Sequence, residues 1–210
     1  MVTALKLALI TVVVGLLMAV PRVDAQPRTP STSMLWMSDD NAEVPDARSR
    51  LTRSDDKICV NIHTRMLPKG AYTVWGFMFN HPEHCTAPAP VGGASCGGDA
   101  DFENEAVQVS ALWVAGGIVG PDRIGHFSTC LAENTFPGQA FDSIGLTNAP
   151  GAEIHLVVRQ HCAAEYDRPA RLGAQLTMFG GNCTADTGGE GRFEGTCECR
   201  NLQFAIHPAQ

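Results

Sequence analysis

Between residues 153 and 161 the chain reads Glu153-Ile-His155-Leu-Val-Val-Arg159-Gln-His161. In an extended strand alternate side chains share a face, so Ile154, Leu156 and Val158 point one way. Glu153, His155, Arg159 and His161 then point the other way. Carboxylate and imidazole together are the ligand set of a zinc or copper site, and a guanidinium in the row attracts anions. Same-face neighbours on one strand lie roughly 7 Å apart. A shared metal ion therefore needs a ligand from an adjacent strand, and His63, on the outward parity after Ile62, is the candidate. The competing reading is a polar sheet face whose Glu, Arg and His groups bond to one another. The sequence favours that structural reading over a metal site.

Other spacings bear chemistry more weakly. His81-Pro-Glu-His84-Cys85, with Cys96 eleven residues on, offers two His and two Cys for tetrahedral zinc. A disulfide between Cys85 and Cys96 is the simpler outcome in an oxidising compartment. Gly93-Ala-Ser95-Cys96-Gly97 has the letters of a nucleophile elbow but lacks the strand before it and the helix after it. Asp99, Asp101, Glu103 and Glu105 alternate in a loop. They offer oxygens to calcium but miss the glycine and the terminal glutamate of a helix–loop–helix site. Asn182-Cys183-Thr184 is an N-glycosylation sequon, relevant in a glycosylating host. Trp75, Phe77 and Phe79 share a face; such a stripe either stacks on sugars or fills a core.

The elements that position these groups read as strands. Ile58, Val60 and Ile62 alternate with Cys59, Asn61 and His63. Residues 71–79 are apolar on both parities, as in a central strand covered on both faces. Further strands are expected over 106–119 (broken at Gly116-Gly117), 123–131, 152–161, 172–179 and 201–207. Gly- and Pro-rich loops separate them. Seven such segments predict an all-β, antiparallel β-sandwich. Residues 26–56 look like a polar N-terminal tail with one short helix over 45–52, and residues 57–210 like a single domain.

The chain opens with Lys6, an uncharged apolar run over 7–20, and Val23-Asp24-Ala25. This is the pattern of a secretory leader cut after Ala25, with a run too short to span a membrane. All eight cysteines follow it. An even count in an exported chain reads as a disulfide framework. Local closure favours Cys85 with Cys96, and Cys183 with Cys197 or Cys199. Cys197 and Cys199 point the same way on a strand and so take different partners. Cys59, Cys130 and Cys162 stay unassigned. The formal net charge of −7 argues against nucleic acid or anionic membranes as partners.

Four stretches carry a resemblance: Ala71-Tyr-Thr-Val-Trp75-Gly-Phe-Met-Phe-Asn80, Gly145-Leu-Thr-Asn148, Gly151-Ala-Glu153-Ile-His155-Leu-Val-Val-Arg159-Gln-His161 and Gln203-Phe-Ala-Ile-His207. They resemble a set of exported bacterial-type proteins of unassigned function, over roughly residues 57–207. In that set a Trp-containing strand leads into FNxP and a later strand reads GAEIHLVVRxH. Cys162 stands here where that pattern has a glycine. More loosely, the His-Thr, Pro-x-Gly and Gly-x-Glu-Ile elements are similar to the chordin-type extracellular β-sandwich repeat. The resemblance implies fold rather than chemistry.

The functional expectation is a secreted, non-catalytic structural or binding domain, without a required cofactor, that meets a cell-surface protein or glycan. The first alternative is an extracellular metal-binding protein or metalloenzyme using Glu153, His155 and His161 with His63, or His81 and His84. The second is a carbohydrate-binding module with exposed aromatics.

Overall fold

The computed structural model describes residues 30–141, 143–181, 183 and 197–210. The expected leader and the sequon residue Asn182 lie outside them.

Among the described residues nine strands form two antiparallel sheets. β1 (Ser31–Ser33), β3 (Arg48–Arg53), β4 (Lys57–Thr64) and β7 (Gly125–Ala132) make a four-stranded sheet in that order. β2 (Trp36–Met37), β9 (Arg200–His207), β8 (Glu153–Gln160), β5 (Gly70–Phe79) and β6 (Val109–Val119) make a five-stranded one. Each inner face follows from period-two alternation. Ile58, Val60, Ile62, Phe127 and Leu131 of the smaller sheet share one buried cluster with Val74, Met78, Val114, Ile154, Leu156 and Val158 of the larger. Cross-strand apolar pairs of this kind are the stabilising unit of a sandwich. The expected all-β, disulfide-stabilised sandwich is the fold.

β5 is central and covered on both sides, as its apolar parities require. One face enters the core, and Trp75, Phe77 and Phe79 lie under loops instead. β6 is not broken at Gly116-Gly117. A Cβ at Gly116 would sit 2.1 Å from the Leu176 carbonyl oxygen, and one at Gly117 would sit 2.9 Å from the Phe127 ring. The two glycines are sites of close approach within a continuous strand.

Two segments differ from expectation. Residues 30–56, the described part of the expected tail, are not a tail with a helix over 45–52. They contribute β1, β2 and β3, and Leu35, Val44, Ala47 and Leu51 are fully buried. Their alternation is hidden because the inward positions of β3 are Ser49, Leu51 and Arg53, only one of them apolar. Arg53 can be buried because its guanidinium donates to the Ala149 and Pro208 carbonyls. Residues 172–179 are not a strand either: Pro169–Thr177 form helix α2. Pro169 opens its first turn, where the missing N–H is not needed. Leu172 and Leu176 are spaced by one helical turn, a period easily taken for strand in a short apolar segment.

Four disulfides close the structure: Cys59–Cys130, Cys85–Cys96, Cys162–Cys197 and Cys183–Cys199. The expected local pair is present, and Cys197 and Cys199 do take different partners. The pairing of Cys59 with Cys130 joins directly opposed residues of β4 and β7, with Cα atoms 4.0 Å apart.

Candidate functional site

β8 splits its side chains as pleating demands. Ile154, Leu156 and Val158 are fully buried in the core. Glu153, His155, Arg159 and His161 lie on the opposite side, but that side is not an open polar face, since loops roof it at both ends. Near its start, the loop after β5 descends onto Glu153. The backbone N–H groups of Ser95 and Cys96 donate to the two carboxylate oxygens at 2.8 and 3.0 Å. His155 Nε2 lies 2.8 Å from Glu153 Oε1, and its ring packs on Phe79 at 4.8 Å between centroids. Burial by itself would raise the Glu153 pKa, but the bonds from His155, Ser95 and Cys96 outweigh it and hold the carboxyl below its ordinary range. The same loop is clamped a second time. The buried Asp101 of helix α1 (Asp99–Glu103) accepts from the N–H groups of Thr86, Ala87 and Gly97.

At the far end Arg159 donates to the Phe179 carbonyl and to Asn201 Oδ1, both at 2.8 Å, and its guanidinium lies 4.4 Å from the Phe179 ring centre. His161 sits in a closed relay. Trp75 Nε1–H donates to Thr73 Oγ1, which bonds His161 Nε2 at 2.7 Å. Nδ1 is 2.9 Å from the Gly181 carbonyl and must donate to it. Burial, with the cation of Arg159 nearby, pushes the ring's pKa down to about 4 against the opposing Gly181 bond, which leaves it neutral near pH 7.

The proposed shared ligand set does not assemble. His155 is bonded to Glu153 and His161 to Thr73 and Gly181. His63 is on the other sheet, facing away, where its partner is His126. His81 precedes and His84 ends a short 3-10 turn (Pro82–His84); His81 bonds Glu83, and Cys85 is tied to Cys96 in a disulfide. The sulfurs near His161 likewise belong to the Cys183–Cys199 disulfide, so thiolate ligation of zinc is closed at both places. Asp101, the buried member of the acidic run, holds backbone N–H groups, which leaves no preformed calcium cage around it.

Ser95, His155 and Glu153 come together in a way that has the makings of a catalytic grouping. Ser95 reaches Glu153 by its backbone N–H, and its hydroxyl makes no hydrogen bond to His155. The N–H groups of Ser95 and Cys96, which a nucleophile loop would aim at a developing oxyanion, both point at Glu153. The grouping fastens a loop. Glu153→Gln is expected to lower stability by about 2–3 kcal/mol, because an amide NH2 then faces a backbone donor. Hydrogen exchange at the amides of Ser95 and Cys96 should quicken, with exchange in β4 and β7 unchanged away from global unfolding. Unaltered exchange at Ser95 and Cys96 would show that the carboxylate does not hold the loop.

No family model matches this chain, nor does any curated protein or any solved structure.

What the sequence did not single out is the outer face of the four-stranded sheet. Strand register lays its side chains in rows. Arg48, His63 and His126 form one row, Arg50, Asn61 and Ser128 the next, and Thr52, Cys59 and Cys130 a third. His63 and His126 meet with Nδ1 atoms 3.3 Å apart and ring centres 4.6 Å apart. Thr32 of β1 extends the middle row and Lys57 opens β4 on the same side. An open depression of about 330 Å³ lies over the second and third rows, and the Cys59–Cys130 disulfide lines it. None of the outward positions on these strands holds a carboxylate. The parity of His63 was visible in sequence. Its neighbour was not, because β4 pairs with a strand more than sixty residues away.

Proposed function

We propose that the chain is an exported, non-catalytic carbohydrate-binding domain whose ligand surface is the outer face of the four-stranded sheet. The observation that carries this reading is a contrast between the two outer faces. On β8 the groups able to do chemistry are engaged in fastening loops, whereas the β3–β4–β7 face is open and concave and keeps polar groups turned outward. Export is supported by four disulfides, which persist in oxidising compartments. Among the described residues no helix is long and apolar enough to cross a membrane.

An array of neutral and acidic oligosaccharides tests the reading. The folded protein is expected to bind some of them, and Ser128→Trp, which fills the depression, is expected to abolish that binding without shifting the melting temperature. Binding that survives Ser128→Trp, or no binding to any oligosaccharide, would overturn it. A serine-directed fluorophosphonate is expected to leave Ser95 unmodified. Stoichiometric labelling of Ser95 would restore the hydrolase reading.

A further inference from the structure

We infer that the ligand taken by this face is an acidic oligosaccharide, bound through its carboxylate or sulfate groups; the inference rests on the open face being the ligand surface. The chain as a whole is acidic, with a formal net charge of −7. Its outer β3–β4–β7 face reverses that sign, with Arg48, Arg50 and Lys57 on outward positions and two histidines beside them. Arg50 borders the depression and makes no hydrogen bond or ion pair among the described residues. Arg48 donates only to the carbonyl of Ala47, its chain neighbour. The Arg65–Asp46 ion pair belongs to the loops that follow β4 and precede β3. An unpaired guanidinium beside a concavity is a preformed donor fork for carboxylate or sulfate.

The neighbours of the charges decide between kinds of polyanion. Between and beyond the cations stand Asn61, Ser128 and Thr52, which exchange hydrogen bonds with sugar hydroxyls. The outward positions of these strands carry no aromatic side chain other than the two imidazoles, so there is no platform for stacked nucleobases. The depression is open rather than enclosed, so it does not surround the anchor side chain of an acidic peptide. A depression of about 330 Å³ has room for one sugar ring, at the lower end of small-molecule sites. Rows along a strand repeat every two residues, about 7 Å. The anionic group of one ring would lie at Arg50 over the depression, and that of the next ring would reach Arg48 and the His63–His126 pair. The charged and titratable groups facing that pair are Arg48 in its own row and Arg50 in the adjacent one. Lys57 lies at the opposite end of β4.

Three defined probes test this at one ionic strength: a heparin-derived hexasaccharide, an oligogalacturonate, and a neutral glucan of equal length, with single-stranded DNA as a fourth arm. The full chain with its disulfides intact is expected to bind at least one acidic oligosaccharide and to leave the neutral glucan free. Arg50→Ser is expected to weaken binding at least about tenfold, the scale of one charge-assisted hydrogen bond. Asn61→Ala should weaken it by less, and Arg200→Ser, an exposed cation elsewhere, should leave it unchanged. Preference for the sulfated or the uronate probe identifies the anionic group. Neutral glucan bound in an Asn61-dependent, Arg50-independent way would sink the acidic class while leaving the face as the ligand surface. DNA bound as tightly as the acidic sugars would also sink it. So would acidic binding reduced equally by Arg50→Ser and Arg200→Ser, which is general charge attraction.

Discussion

Lowering the pH from 6.5 to 4.5 is expected to remove roughly 5 kcal/mol of folding stability, through two buried neutral histidines. His161 is closed in its relay with Thr73 and Gly181. His207 is fully buried between the hydroxyls of Ser31 and Ser49, which take its two ring nitrogens at 2.9 and 2.8 Å. Burial, then the cation of Arg53, then His155 push the His207 pKa down to about 3, and burial pushes that of His161 down to about 4. Both folded values lie below the unfolded value of about 6.5, so the unfolded chain binds more protons in this range. The contribution is complete above pH about 6.5 and is lost as the pH falls toward the folded pKa values. Each histidine loses about 1.4 kcal/mol per pH unit over that interval. Glu153 and Asp101 have carboxyl pKa values held below the ordinary range. They release most of their contribution below pH about 4.5, so the histidines dominate this interval. Urea unfolding at half-unit pH steps reads the slope, and His207→Gln should roughly halve it. A stability that stays flat from pH 6.5 to 4.5 would mean the rings accept protons in place.

These two histidines also mark how far sequence reasoning reached. The pleat of β8 was legible because Ile154, Leu156 and Val158 alternate with polar residues over an unbroken strand. What covers the polar side was not, because the loops that do so arrive from residues 80–102 and 178–181, and no local period reports on a loop's landing place. His63 shows the same boundary. Its outward parity was readable from Ile58, Val60 and Ile62, yet which sheet it belonged to depended on a pairing with β7 across the chain. The N-terminal strands were hidden for a different reason. β3 buries Ser49 and Arg53 by hydrogen bonding, so hydrophobic alternation is absent where the strand is real. On β8 chemistry was assigned to polar groups that tertiary structure then used as fasteners.

Replacing Cys59 and Cys130 together by alanine is expected to cost the most of the four disulfide removals, about 4 kcal/mol. The bridge closes a sequence separation of 71, against 35 for Cys162–Cys197, 16 for Cys183–Cys199 and 11 for Cys85–Cys96. Constraint of the unfolded chain grows with the logarithm of that length, which places the shortest loop near 3 kcal/mol. Cys85–Cys96 lies inside the longer loop and shortens its effective span by only about ten residues, too little to change the order. The native side of the balance is small here. Cys59 and Cys130 are one opposed pair among eight in the β4–β7 ladder, so the strands stay paired without the bridge. For a domain of this size the double variant should melt roughly 10 °C lower while keeping its β-rich circular dichroism spectrum. Because the bridge lines the depression beside Arg50, acidic-oligosaccharide affinity measured well below that melting point should change less than it does with Arg50→Ser. A smaller melting shift than that of the Cys85→Ala, Cys96→Ala variant would show that native-state strain or loop anchoring, rather than the entropy of the open chain, sets the worth of these bridges.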